Sequence, residues 1–285
     1  VNRLQRRKLA SRIAAAVCLL FALVAVFPLV SVLIEVWARG HAIVDWSFLS
    51  TDAGVRLDPA LGLVSVGGIR YAIVGTAIVV GLGTLIGAPV GVGAGIFLSE
   101  YGRNRFGDGI RTVVDAMAGI PSIVAGLFGY AVVVVRYGFS AWAGAAALAV
   151  LMVPTVTRTT EEALRTVPQS LRDASLALGG PRWYTTVRVV IPSAGGAMLT
   201  GLLLGVARIA GETAPLLLTV LGSQYFSTDP RKPMATMQGL IYGFGKSPDP
   251  ILVDRSWGAA LVFIVGILVL NVVVRLLARS RRRLA

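Results

Sequence analysis

Six stretches of this 285-residue chain are long, apolar and nearly free of charge, and they leave few folds open to it. They fall at about 13–36, 71–98, 110–135, 139–157, 196–222 and 257–278. A helix needs about 20 apolar residues to cross a bilayer, where every backbone N–H and C=O must be satisfied within the segment. The expected architecture is therefore an all-α membrane protein with six transmembrane helices. Composition agrees, since 55% of the residues are hydrophobic and only 14% are charged, far from the balance of a soluble domain.

The chain holds 27 Lys and Arg against 14 Asp and Glu, a formal charge of +13. In a soluble protein such an excess points to nucleic acid, but here the bases gather at the ends of the apolar runs. With the N-terminus inside, the cytoplasmic segments hold eighteen bases and the opposite side eight, leaving Arg208 alone inside a span. That is the positive-inside pattern, which places both termini in the cytoplasm and calls for no nucleic-acid partner. Arg3, Arg6, Arg7, Lys8 and Arg12 precede the first run. That run exceeds the roughly 7 to 15 residues of a signal-peptide core and ends without a small-residue cleavage site, so it is expected to stay as an uncleaved helix. Residues 37–70 read as a polar extracytoplasmic loop. Cys18 and His41 are the only cysteine and histidine, so no internal disulfide, cysteine cluster or His-pair metal site is possible and no metal is expected. A histidine-dependent catalytic triad would rest on His41 alone.

Gly83, Gly87, Gly91 and Gly95 recur every four residues along the second run. That spacing lines one helix face with hydrogens and lets a neighbouring backbone approach closely, so it reads as a packing stripe. No strand precedes these glycines, which argues against a phosphate loop. The segment Gly239–Ser247 also ends like a P-loop, but Leu240 stands where the first glycine is required, five residues before Gly245-Lys246. The chain has no nucleotide site of its own by this reading.

Residues 158–192 are the longest segment expected in the cytoplasm. They read as a helix from about Glu161 to Leu178, a Gly179-Gly180-Pro181 turn, and a second short helix ending near Pro192. Glycine supplies the positive-φ stop at a helix C-terminus, and proline pre-sets the first turn of the next helix. Within this hairpin stand Asp173-Ala174-Ser175, then after three residues Gly179, then after nine more Val189-Val190-Ile191-Pro192. The pattern resembles the coupling loop of ABC importer permease subunits, which runs Glu-Ala-Ala, three residues, Gly, nine residues, Ile-x-Leu-Pro. Asp for Glu, Ser for Ala, Val for Ile and Ile for Leu each keep charge or size class. The resemblance implies a type I importer permease whose cytoplasmic coupling helix-turn-helix docks in a cleft of an ATPase subunit. It makes Asp173, Ala174, Ser175, Gly179 and Pro192 the candidate coupling residues. ATP and magnesium would be held by the ATPase, leaving this chain without a cofactor. With no partner, the same hairpin could lie on the membrane, covering lipid headgroups with Leu164, Val167 and Leu171.

Arg208 and Glu212 lie in Gly205-Val206-Ala207-Arg208-Ile209-Ala210-Gly211-Glu212-Thr213-Ala214-Pro215, near the middle of the fifth expected span and four residues apart. That separation puts them on one helix face. An ionisable group at the bilayer centre costs about 2.5 to 3.5 kcal/mol on insertion scales, so the pair reads as the lining of a polar pathway. A structural salt bridge between helices is the plainer alternative. This segment, with Pro154–Glu162 and Val167–Arg172, is similar to the A-type permease family of the phosphate-specific ABC importers, and the likeness covers about Tyr71 to Arg279. The resemblance implies that Arg208 and Glu212, with the adjoining Thr213, serve the passage of inorganic phosphate. The chemistry fits: arginine presents a planar fork of donors to an oxyanion, and a carboxylate repels sulfate while accepting a hydrogen bond from the protonated oxygen of hydrogen phosphate.

The resulting expectation divides the chain into 1–70, with the basic segment, first helix and loop; 71–279, a permease core of five helices containing the loop at 158–192; and a basic tail at 280–285. The family implies a second homologous permease, two copies of the ATPase, an extracytoplasmic phosphate-binding protein and a bacterial inner membrane. Permeases for sulfate or molybdate are the near rivals. A membrane-embedded enzyme using Glu212 as acid or base on an anionic substrate is the distant one, and no nucleophile-base pair or second intramembrane carboxylate accompanies it.

Overall fold

A segment immersed in hydrocarbon must close its hydrogen bonds internally, and the first apolar run does so as one long helix, α1 (Arg3–Gly40). The computed structural model describes residues 3–58 and 62–282. Of the expected tail at 280–285, residues 283–285 lie outside the described residues. Apart from Val36 near its C-terminal end, the leucines, valines and phenylalanines of α1's apolar stretch face outward, a surface that only lipid or another protein can cover.

The loop after α1 is more ordered than a polar linker. It forms α2 (Trp46–Ser50), capped by Asp45, whose carboxylate accepts from the Phe48 N–H at 2.6 Å. That bond, helped by the Ser47 hydroxyl, holds the Asp45 carboxyl below the usual range. Strands β1 (Ala53–Asp58) and β2 (Gly62–Gly67) follow, paired antiparallel from Ala53 opposite Gly67 to Asp58 opposite Gly62. This small hairpin is an ornament on a helical fold, too short to register in a span-length hydropathy window.

The core then runs through α3 (Arg70–Glu100), α4 (Arg105–Ala118), α5 (Ser122–Tyr137), α6 (Ala141–Arg165), α7 (Gln169–Ala177), α8 (Arg182–Ala210), α9 (Ala214–Thr219), α10 (Met237–Gly245) and α11 (Pro250–Arg282). Among the described residues, α1, α3, α6, α8 and α11 are long and apolar enough to span a bilayer, and α4 with α5 makes a sixth span only as a bent pair.

Three expectations about these elements are corrected. The run at 110–135 is two helices meeting at 101°, because Pro121 cannot continue a helix and pushes Ile120 out of the α region. The helix expected over Glu161–Leu178 breaks at Thr166-Val167-Pro168, again ahead of a proline. The second short helix does not end near Pro192: α8 passes through that proline and continues into the membrane span. A wide π turn over Thr186–Val190, closed by the Ile191 N–H on the Thr186 carbonyl, lies just ahead of it. The extra residue in that turn makes room for a ring that lacks an N–H and would strike the carbonyl one turn back.

Helix α6 is the axis of the bundle, with 67% of its apolar window buried against 28% for α3 and less for the others. Val79 of α3, Leu148, Met152 and Val156 of α6, Ile209 of α8 and Leu216 of α9 form the main core. The glycine stripe of α3 faces α6. A Cβ on Gly83 or Gly87 would sit 3.1 Å from the Cβ of Leu148 or Met152, and on Gly91 or Gly95 it would be 2.8 Å from that of Val156 or 2.6 Å from that of Thr160. The first two are tighter than nearly all real Cβ contacts and the last two are distances real Cβ atoms essentially never show, so the two backbones lie close enough to require glycine at Gly91 and Gly95.

Candidate functional site

Two features of the core carry chemistry: a break in the fifth span, and a cluster of arginines where α3, α4, α6 and α7 meet.

At the break, α8 stops at Ala210 and the chain crosses Gly211-Glu212-Thr213 before α9 begins. Helix ends free their last carbonyls, and those of Arg208, Ile209 and Ala210 each find a donor here. Gly211 N–H returns to the Arg208 carbonyl at 3.1 Å and Glu212 N–H to that of Ile209 at 3.2 Å. The Ala210 carbonyl accepts from the side-chain Nε2 of Gln238, a buried residue of α10, at 2.5 Å. Arg208 and Glu212 therefore do not share a helical face in mid-span, as the uninterrupted apolar run implies. Arg208 is in the last turn of α8 and Glu212 is in the link, because Gly211 ends the helix and Pro215 sits in the first turn of α9.

Arg208 is exposed, and its Nη1 donates to the Thr155 hydroxyl at 2.9 Å. Thr155 lies near the middle of α6, so the guanidinium stands at mid-depth of the bundle. Among the described residues no ion pair joins Arg208 to Glu212 or to any other carboxylate, and its side chain bonds Thr155. Glu212 and Thr213 are half-buried. The arrangement leaves most donors of a five-donor guanidinium open to an oxyanion, with a carboxylate and a hydroxyl close by in sequence.

At the other feature, Glu161 of α6 is 1% exposed and meets three arginines. Its Oε1 accepts from Arg111 Nε at 2.9 Å and Arg165 Nη2 at 2.7 Å, and its Oε2 from Arg158 Nη1 at 3.1 Å. Arg158 also bonds Asp115 of α4 through Nε at 2.9 Å. Arg111 additionally reaches Asp108 at 2.9 Å and the carbonyls of Leu98 and Gly102 at 2.8 and 3.0 Å. An amphipathic helix that buries only Gly107 and Val114 is thus fixed by ions. Sequence reasoning passed over Glu161, though Arg158 and Arg165 stand three and four residues from it, the separations at which helical side chains meet.

The expected coupling residues sit on α7 and the turn after it. Asp173 is exposed and accepts from Gln169 at 3.1 Å. Ala174 is exposed, and the Ser175 and Thr185 hydroxyls lie 2.8 Å apart, tying α7 to the start of α8. Gly179 has φ +84°, with open space around its missing side chain; that conformation costs any other residue steric energy and closes the α7 C-terminus. Pro192 is exposed in α8. The structure does not gather all the predicted residues into one site, but α6 touches each group. The α3 glycines pack on it, Arg208 bonds its Thr155, and its C-terminal end leads into α7.

The sequence profile of the family described as "Binding-protein-dependent transport system inner membrane component" matches residues 91–283. The chain is 42% identical over 218 residues to the "Phosphate transport system permease protein PstA" of Yersinia pestis, covering 76% of this chain and 74% of that one. It is 38% identical over 288 residues to "Phosphate transport system permease protein PstA 1" of Mycobacterium tuberculosis, covering 98% and 92%. Among solved structures, a bacterial alginate ABC transporter in complex with its pentasaccharide-bound periplasmic protein superimposes with a TM-score of 0.70 over 98% of each chain at 13% identity. The MetNI methionine ABC transporter does so with 0.57 over 74% of this chain and 94% of that one, at 16% identity. The shared fold is that of ABC importer permeases.

Proposed function

The chain belongs to the binding-protein-dependent transport family of inner-membrane components, within its PstA phosphate permeases, and from that membership we propose that it is the membrane subunit through which an ATP-driven importer moves inorganic phosphate. The observation that carries the substrate is the 42% identity to permeases named for phosphate transport. The site chemistry agrees with it. Arg208, without a carboxylate partner among the described residues, attracts the anion at the break in α8 and exchanges its Thr155 contact for an oxyanion. Glu212 and Thr213 follow in the half-buried link, where a carboxylate accepts from hydrogen phosphate and repels a fully ionised sulfate.

In this reading the chain hydrolyses nothing. A second permease of the same fold covers the outward apolar face of α1, and two ATPase copies, which hold ATP and magnesium, receive α7 and the Gly179 turn. A phosphate-binding protein delivers from the opposite side, and both termini lie in the cytoplasm. Labelled phosphate uptake at low external concentration, in cells lacking this chain with and without its restoration, tests the proposal against excess unlabelled sulfate. Restored uptake that sulfate does not compete away is the expected result. Uptake that sulfate abolishes would assign the chain to another oxyanion, and no restoration despite normal insertion would overturn the transport reading.

A further inference from the structure

Helix α7 has no buried residue, and its Leu171 and Leu176 are exposed. Hydrophobic packing therefore does not hold it to the bundle. Between it and the helix ends lies a cleft of about 660 Å³, lined by Leu98, Glu100, Arg111, Val167, Arg172 and Thr186 among others. One side chain crosses that cleft. Arg172 donates from Nη2 to Glu100 Oε1 at 2.8 Å and to the Leu164 carbonyl at 2.9 Å. Its Nη1 donates to the Val167 carbonyl at 2.6 Å, and its Nε faces Glu100 Oε2 at 3.3 Å. Arg172 and Glu100 are only 15% and 10% exposed, so solvent screens the pair weakly.

The partners divide by helix. Glu100 is the last residue of α3, Leu164 is in the last turn of α6, and Val167 is in the link that follows. Helices α6 and α8 are also joined to α7 by the chain itself, through Thr166–Pro168 and the Gly179 turn. Helix α3 is not. Among the described residues, Arg172 to Glu100 is the one ion pair between α7 and α3, and α3 carries the glycine stripe locked against α6.

We propose that Arg172 is the strut that transmits displacement of α7 to α3, and so sets the α3–α6 pair moving as a unit; this rests on the reading of α7 as the helix that docks on the ATPase. Arg172 is a positioning residue and touches neither the anion nor the nucleotide. Its planar fork makes four hydrogen bonds, two to the Glu100 carboxylate and one to each carbonyl, more than the three donors of an ammonium can supply.

The test is the number of phosphates moved per ATP hydrolysed, measured in proteoliposomes holding this chain with its second permease, ATPase and phosphate-binding protein. Arg172→Gln is expected to assemble and hydrolyse ATP while that ratio falls at least about fivefold, the low end of site-to-site coupling. Arg172→Lys, which keeps the charge near Glu100 but loses the fork, is expected to fall less. A merely structural role would lower uptake and hydrolysis together, and an unchanged ratio in Arg172→Gln overturns the proposal. If that variant fails to assemble, Glu100→Gln, which removes only the α3 end of the strut, decides on the same ratio. A wild-type complex showing no ATP-dependent phosphate uptake would instead overturn the transport reading beneath it.

Discussion

Glu161 is enclosed in the bundle and shared among Arg111, Arg158 and Arg165, whereas Arg208 stands exposed with a threonine for company. The first arrangement is saturated and structural; the second is open and suited to a mobile anion. Breaking a buried ion pair by removing one partner costs about 3–5 kcal/mol. Arg111, Arg158 and Arg165 are 20%, 31% and 59% exposed, so solvent recovers part of that. Glu161→Ala is thus expected to lower the thermal midpoint of the detergent-solubilised protein by several degrees, and an unchanged midpoint would show the cluster to be dispensable. At Gly179, where φ is +84°, a side chain adds strain of about 1–2 kcal/mol without a clash. Gly179→Val should therefore open the turn and speed its cleavage by protease, with Gly179→Asn milder; equal rates in the three proteins would contradict this. Arg208 and Glu212 were legible as single residues, because charges inside an apolar run announce themselves. Arg172 was not, because its partners are a carboxylate 72 positions earlier and two backbone carbonyls that no spacing rule connects.

At the scale of elements, hydropathy reads length and composition and is blind to where the backbone turns. It located all six apolar regions and the four-residue glycine period, yet ran straight through the bend at Pro121 and the stop at Gly211. Both changes follow from local chemistry, a ring without an N–H at Pro121 and the weak helix propensity of glycine at Gly211, inside stretches whose apolarity never falters. The short helix α10, between the fifth and sixth expected spans, escaped for the opposite reason: nine residues are too few to span. The glycine stripe gives the cleanest element-level prediction. Gly91 faces Val156 at a distance no Cβ tolerates, whereas Gly93 on the same helix has open space. Overpacking a close contact costs about 1–3 kcal/mol, so Gly91→Leu should lower the thermal midpoint while Gly93→Leu leaves it near wild type. Equal effects would mean that α3 and α6 do not pack through this face.

At the scale of the whole molecule, fold and family were legible because the membrane restricts architecture and the coupling-loop pattern narrows it further. The candidate site was legible only in part: the sequence supplied Arg208 and Glu212, whose part in the path of the anion is our proposal, but their separation by a helix end, the Thr155 contact and the Gln238 closure exist only in three dimensions. The initial rate of labelled phosphate uptake by Arg208→Ala, with the variant present in the membrane at wild-type level, tests this most directly. A hydrogen bond to a charged group contributes about 1.5–3 kcal/mol, so loss of the guanidinium is expected to cut uptake by about tenfold or more. Uptake at the wild-type rate would contradict passage of the anion at the break in α8.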